Sequence, residues 1–109
     1  MVEIKAQRIE IWQVDLNPTQ GSEINKRRPC VIISPNELSK LSTVIVAPMT
    51  TKGFNLPSRI DLKFKGKSGL IVLDQMRTVD KSRLVQKLGK VDDLTQINIC
   101  NNLQEMFAL

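Results

Sequence analysis

Histidine and tyrosine are missing from the 109 residues, cysteine occurs twice, and the aromatic side chains are four, Trp12, Phe54, Phe64 and Phe107. Without imidazole, the commonest general base and a frequent metal ligand, most hydrolytic mechanisms are excluded. Cys30 and Cys100 form no C-x-x-C pattern, so neither reads as a metal ligand and both read as buried, inert thiols. So few rings argue against a platform of stacked aromatics of the RRM or OB type. No apolar run approaches the roughly 18 residues of a membrane span, and no leader pattern opens the chain. A cytoplasmic protein with no membrane partner is therefore expected, as one domain over residues 1–109 with a core large enough to need no staples.

What is present is positive charge. Lys and Arg number 16 against 11 Asp and Glu, a formal +5. All 16 bases fall within residues 1–90 beside eight acids, whereas residues 91–109 carry three acids and no base. A basic body of this kind suits a polyanion, most often nucleic acid, although a solvated surface that favours solubility explains moderate charge as readily.

Met1 to Ala6 is a polar lead-in. Arg8 to Asp15 then alternates apolar and polar residues, apart from the adjacent Ile11 and Trp12, and reads as a strand with Trp12 in the core. Pro18 stops it, and Gly21 permits a positive φ in the loop that follows. Pro29 to Ser34 and Thr43 to Met49 are continuous apolar strands. Between them Asn36 is placed to cap one helical turn through Leu41. Ser58 to Phe64 alternates, with Ile60, Leu62 and Phe64 on one face and charges on the other. Residues 66–69 read as a turn, Leu70 to Leu73 as a buried strand, residues 74–80 as extended or bulged, Lys81 to Arg83 as a turn, and Leu84 to Val91 as a strand around Gly89. From Asp92 the period becomes helical, with Asp92 or Asp93 as N-cap and Leu94, Ile97, Cys100 or Leu103, and Phe107 on the expected buried stripe. Six or seven short strands and one terminal helix predict a mainly β, α+β fold, a twisted antiparallel sheet or small barrel.

The long loop from Pro18 to Pro29 holds Glu23 and the run Lys26, Arg27, Arg28, and loops of this length carry function more often than architecture. Thr50 and Thr51 end the third strand, and Asp74, Gln75 and Arg77 follow another. If these loops leave the sheet at one end, a carboxylate, an arginine and a threonine converge. Cleavage of RNA by its own 2′-hydroxyl needs a base, positive donors for the pentacoordinate phosphate and a proton for the departing 5′-oxygen, with no metal or other cofactor. Plainer roles fit the same residues. Glu23 suits a solvated loop acid, residues 26–28 a solubility cluster, Thr50 and Thr51 backbone ties, Asp74 a turn cap, and Arg77 a partner for Asp80. Phe54 fits either a lid over the core or a base-stacking ring.

The series Ile11-Trp12-Gln13-Val14-Asp15-Leu16-Asn17-Pro18-Thr19, Gly21-Ser22-Glu23, Arg28-Pro29, Val46-Ala47-Pro48-Met49-Thr50-Thr51 and Asp74-Gln75-Met76-Arg77-Thr78-Val79-Asp80 resembles the MazF/PemK family of toxin endoribonucleases over nearly the whole chain. The resemblance implies an SH3-like twisted antiparallel barrel of the CcdB/MazF type and a homodimer. It also implies metal-independent cleavage of single-stranded RNA, mRNA included, that leaves a 2′,3′-cyclic phosphate and a 5′-hydroxyl, and inhibition by an acidic, MazE-like antitoxin. Arg28 matches the arginine of the family's R-P motif and Thr50 the threonine of P-x-T, the pair expected to be catalytic. Glu23 matches the glutamate of G-S-E and is the expected base, while Asp74 matches an aspartate given that role in another branch. Ser22, Lys26, Arg27, Thr51, Lys52, Gln75 and Arg77, with Asp74, are expected to guide the RNA strand.

Two departures stand out. Lys26 replaces a common glycine, which makes the loop less permissive and more basic. Val72 replaces an arginine found in some members two residues before the aspartate, which favours Glu23 over Asp74. A non-enzymatic, CcdB-like toxin that binds gyrase and an inactive RNA-binding module are the alternatives. The basic loop with Glu23, Arg28 and Thr50 speaks against the first.

Overall fold

Apolar runs without alternation, such as residues 30–33, need cover on both sides. The computed structural model, which describes residues 5–24, 26–53 and 55–108, supplies it. Strands β1 (Glu10–Asp15), β2 (Arg27–Ile32) and β3 (Thr43–Thr50) lie side by side in the middle of a seven-stranded antiparallel sheet. Ile11, Val31, Ala47 and Met49 face one core, which β4 (Arg59–Phe64), β5 (Lys67–Val72) and the helix close with Ile60, Leu62, Ile71 and Ile99. Val14, Cys30, Ile32, Val44 and Val46 face a second core, closed by Leu16, by Val79 of β6 (Arg77–Asp80) and by Leu84 of β7 (Leu84–Lys90). The order is β4-β5-β3-β2-β1-β7, with β6 also on β3, and the sheet curls into the half-barrel expected. Truncating a fully buried side chain such as Ile71 costs about 2–5 kcal/mol in cores of this kind.

One edge of β3 changes partner along its length. Thr43 to Val46 pair with β6, and Met49 and Thr50 pair with β5. Pro48, which has no N–H to give, stands in the gap between those ladders, where a missing donor costs least.

Several boundaries differ from the sequence reading. The first strand begins at Glu10 because Ile9 adopts φ 68, outside the extended region. The break in alternation at Ile11 and Trp12 coincides with a bulge, where the β7 partner jumps from Gly89 to Lys87. The turn predicted over residues 66–69 is only Lys65 and Gly66, at φ 51 and 80, the tight primed turn that suits a hairpin, so β5 starts at Lys67. Residues 74–80 are not continuously extended: a 3-10 turn over Leu73–Gln75 precedes β6. Asn36 caps no helical turn; its Oδ1 accepts from Arg8 N at 2.8 Å, and only a 3-10 turn over Asn36–Leu38 forms.

Helix α1 (Asp93–Met106) begins as expected, with the Asp92 carboxylate accepting from Thr95 N at 2.7 Å. Its buried face is only partly the predicted one. Thr95 and Ile99 are buried and Leu103 and Met106 pack on the core, whereas Leu94, Ile97 and Phe107 are 69%, 55% and 69% exposed. A hydroxyl-bearing residue occupies the seam, so apolarity alone points to the wrong side. Trp12 packs against the second core as expected, with its Nε1 donating to Glu10 Oε1 at 3.1 Å. The Phe54 ring and the first four residues of the polar lead-in lie outside the described residues. Among the described residues no helix is long and apolar enough to cross a membrane.

Candidate active site

The loop between β1 and β2 is folded by its own polar atoms. Gly21 takes φ 57 as the turn requires, and Lys26, the glycine replacement, takes φ 67. Leu16 N donates to Lys26 O and Lys26 N to Asn17 Oδ1, each at 3.1 Å, which closes the loop at its base. Gln20 N donates to Glu23 Oε1 at 2.8 Å, and Ile24 N donates to Gln75 Oε1 at 2.8 Å, which ties the loop to the turn after β5. Arg77 Nη1 donates to Leu16 O at 3.1 Å. Arg83 Nη1 donates to Asp15 O at 3.2 Å and also to Asn17 O. Arg77 is thus a strut for the loop rather than a partner of Asp80, whose carboxylate instead accepts from Ser82 N. Arg83 is a second strut that nothing in the sequence pattern singles out.

Two cavities divide the expected residues. The first, about 390 Å³, is walled by Ser22, Glu23, Asp74, Gln75 and Arg77 over a floor of Leu16 and Pro48. The second, about 340 Å³, holds Arg28, Thr50 and Thr51. Successive residues of β3 separate them, Pro48 in one and Met49 and Thr50 in the other. Cys30 pairs with Pro48 at the end of the β2–β3 ladder, and Arg28 and Thr50 lie just beyond it at the ends of their strands. Arg28 and Thr50 line only the second of these cavities, and Glu23 lines only the first. Lys26, Arg27 and Lys52 are exposed and wall neither cavity.

The hydrogen bonds distinguish the acids. Asp74 is gripped by Arg59, Nε to Oδ1 and Nη2 to Oδ2 at 3.2 Å each, and by Ser58 Oγ at 2.9 Å. Partial burial alone would raise its pKa, but the Arg59 and Ser58 bonds outweigh that and hold the carboxyl below its ordinary 3.8. Glu23 is exposed and gives Oε1 to its own loop. A carboxylate has about four acceptor sites, so that one bond orients the group without filling it. Thr50 Oγ1 accepts from Lys52 N at 3.1 Å, the backbone tie allowed for in the sequence, and its hydroxyl proton remains available to donate. Burial pushes the Cys30 thiol up to about 12 despite the charges of Arg77 and Arg28, consistent with an inert thiol. Cys100 is only half-buried and accepts from Arg8 Nη2 at 3.4 Å.

This fold has solved counterparts. MazF (Form-I) from Deinococcus radiodurans superposes with a TM-score of 0.84 at 20% identity, over 97% of this chain and 99% of that one. A mycobacterial endoribonuclease in complex with its cognate antitoxin superposes with a TM-score of 0.80 at 22% identity, over 95% and 96%. Residues 7–107 match the family described as PemK-like, MazF-like toxin of type II toxin-antitoxin system, and the chain belongs to that family. Two curated relatives named Endoribonuclease MazF, from Staphylococcus epidermidis and Staphylococcus saprophyticus, are 34% and 39% identical over 109 residues, each spanning 94% of this chain and 91% of the relative.

Proposed function

We propose that the chain is an endoribonuclease toxin that cuts single-stranded RNA, mRNA included, by attack of a 2′-hydroxyl on its neighbouring phosphodiester. The observation that carries this reading is the placement of Arg28 and Thr50 in one cavity, separated by one edge of β3 from the cavity that holds Glu23. Glu23 takes the 2′-hydroxyl proton. Arg28 stabilises the pentacoordinate phosphate chiefly as a fixed charge, because a guanidinium releases a proton reluctantly. Thr50 donates its hydroxyl to a phosphate oxygen. The P–O5′ bond breaks as the 2′-oxygen–phosphorus bond forms, the departing 5′-oxygen takes its proton from solvent water, and the products are a 2′,3′-cyclic phosphate and a 5′-hydroxyl; since the nucleophile belongs to the substrate, no metal-bound water is required. Ser22 and Gln75 line the path of the strand, with the exposed Lys26, Arg27 and Lys52 meeting its phosphates. The chain acts as a homodimer and is restrained by a cognate acidic antitoxin, a reading supported by the antitoxin complex of its structural neighbour and by the basic body described above.

Digestion of one long RNA by the purified protein, followed by end-group analysis and sequencing of the new 5′ ends, tests the reading. Discrete cuts with cyclic-phosphate and 5′-hydroxyl termini are expected. Intact RNA, or 5′-phosphate termini, would overturn it.

A further inference from the structure

The wall of the second cavity that faces away from Arg28 and Thr50 is unexplained by the chemistry above. It is built from Phe64, Lys65 and Lys67 of the β4–β5 hairpin, with Leu88 of β7. Three cations and no carboxylate line this cavity, and its volume falls within the range of small-ligand pockets, about 300–1,000 Å³. Two glycines shape it. A Cβ at Gly69 would stand 2.9 Å from the Thr50 carbonyl oxygen, and a Cβ at Gly89 would stand 3.1 Å from Cε1 of the Phe64 ring. The first absence lets β5 close on Thr50. The second lets the Phe64 ring lie against β7, where the tight turn at Lys65 and Gly66 holds the hairpin. Lys65 Nζ lies over the ring, 5.5 Å from its centroid, while the ring also packs against the first core, so the ring is held in place beside a cation.

We propose that Phe64 is the stacking surface for one unstacked base of the RNA next to the scissile phosphate, with Lys65 and Lys67 neutralising the phosphate beyond it. This subsite rests on the endoribonuclease reading and adds a specificity-determining residue to it. A fixed ring beside fixed cations is what a single-stranded polynucleotide needs: every base has a π-face and every linkage a charge. The same charge disfavours a second copy of this chain on the face, because a symmetric contact would set lysines against lysines.

The test is a cycle between protein and RNA. The RNA carries the cut sequence found by 5′-end sequencing, either intact or with an abasic ribose at one of the two positions flanking the cut. The protein is the parent, Phe64→Leu, which keeps apolar volume without a ring, or Phe64→Trp. Single-turnover cleavage of intact RNA should fall about 5- to 100-fold in Phe64→Leu, the scale of one lost base–aromatic stack, and be retained in Phe64→Trp. The abasic change should cost the parent a similar factor at one flanking position and cost Phe64→Leu nothing there. Parental cleavage by Phe64→Leu, or full additivity at both positions, would overturn the proposal. So would a change in sedimentation of Phe64→Leu, which would show that the face seats a second copy. An unchanged Tm checks the fold of the leucine variant. The same cycle is measured as Kd with RNA whose 2′-hydroxyl at the cut is removed. If the parent leaves RNA intact while the binding cycle still shows coupling, the cleavage reading fails and the subsite stands. If cleavage is real and the cycle is additive, the subsite alone fails.

Discussion

Arg59 holds Asp74 through both carboxylate oxygens, a fork-to-fork pair at 3.2 Å on each arm. A carboxylate committed in this way accepts a further proton poorly, whereas Glu23 has capacity to spare. Glu23→Gln should therefore lower single-turnover cleavage by about two orders of magnitude, within the range of one general base. Asp74→Asn should cost less than about tenfold in rate and about 1 kcal/mol in stability, since the pair is partly exposed. Rates on a defined RNA and thermal melts of both variants check this. The reverse outcome would move the base to Asp74.

Arg28→Ala should reduce the rate about 100- to 1,000-fold, the cost of one preorganised donor to a developing oxyanion. Far-UV circular dichroism should be unchanged, because Arg28 lies at a strand end and only half-buried. A variant that cuts at the parental rate would remove Arg28 from the site. In the same assay, Thr50→Ser should retain most of the activity that Thr50→Ala loses, since the proposed role uses the hydroxyl and not the methyl.

Cleavage should persist in excess EDTA. A strict need for a divalent ion, restored by adding it back, would contradict attack by the substrate's own hydroxyl.

Lys26 sits at φ 67, where a side chain costs about 1–2 kcal/mol. Glycine relieves that cost but loosens the unfolded chain, so Lys26→Gly should stabilise the protein by a net of about 0.5–1 kcal/mol and raise Tm by a few degrees. The Lys26 N bond to Asn17 is made by the main chain and survives the change. A lower Tm would show that the lysine side chain is itself a stabilising part of the loop.

Glu10 is buried in a strand, yet its pKa is lowered. Burial would raise it, but Lys87 Nζ at 2.7 Å, Gln7 N at 2.8 Å and Trp12 Nε1 at 3.1 Å outweigh that and hold the carboxyl below its ordinary 4.5. A depressed folded pKa gives stability that is complete above the unfolded value and is lost as pH falls through the folded one. Stability should thus decline below about pH 4.5, and Glu10→Gln should be less stable at pH 7 with a shallower acid slope. Urea unfolding at a series of pH values measures both.

The strands were legible because period-two patterns and unbroken apolar runs each have one physical meaning: a half-wet face at Arg59–Phe64 and two covered faces in β2 and β3. The motif residues were legible too, although the division of Glu23 from Arg28 and Thr50 between two cavities depends on how loops fold back, which spacing does not encode. Glu10 escaped notice because its charged partner, Lys87, is 77 residues downstream. The helix face was misread because Thr95, not Leu94, meets the core. Lys65 misled the turn assignment, since only Gly66 advertises a left-handed backbone in the sequence.

The switch of partners along β3 gives the β4–β5 hairpin the mechanical role of a handle. Thr50 is backed by β5, while Thr43 to Val46 are anchored separately by β6. Levering the hairpin outward would withdraw support from Thr50, the proposed phosphate donor, and leave the anchored half of the strand in place. On the proposed mechanism such a movement would disarm the protein without unfolding it.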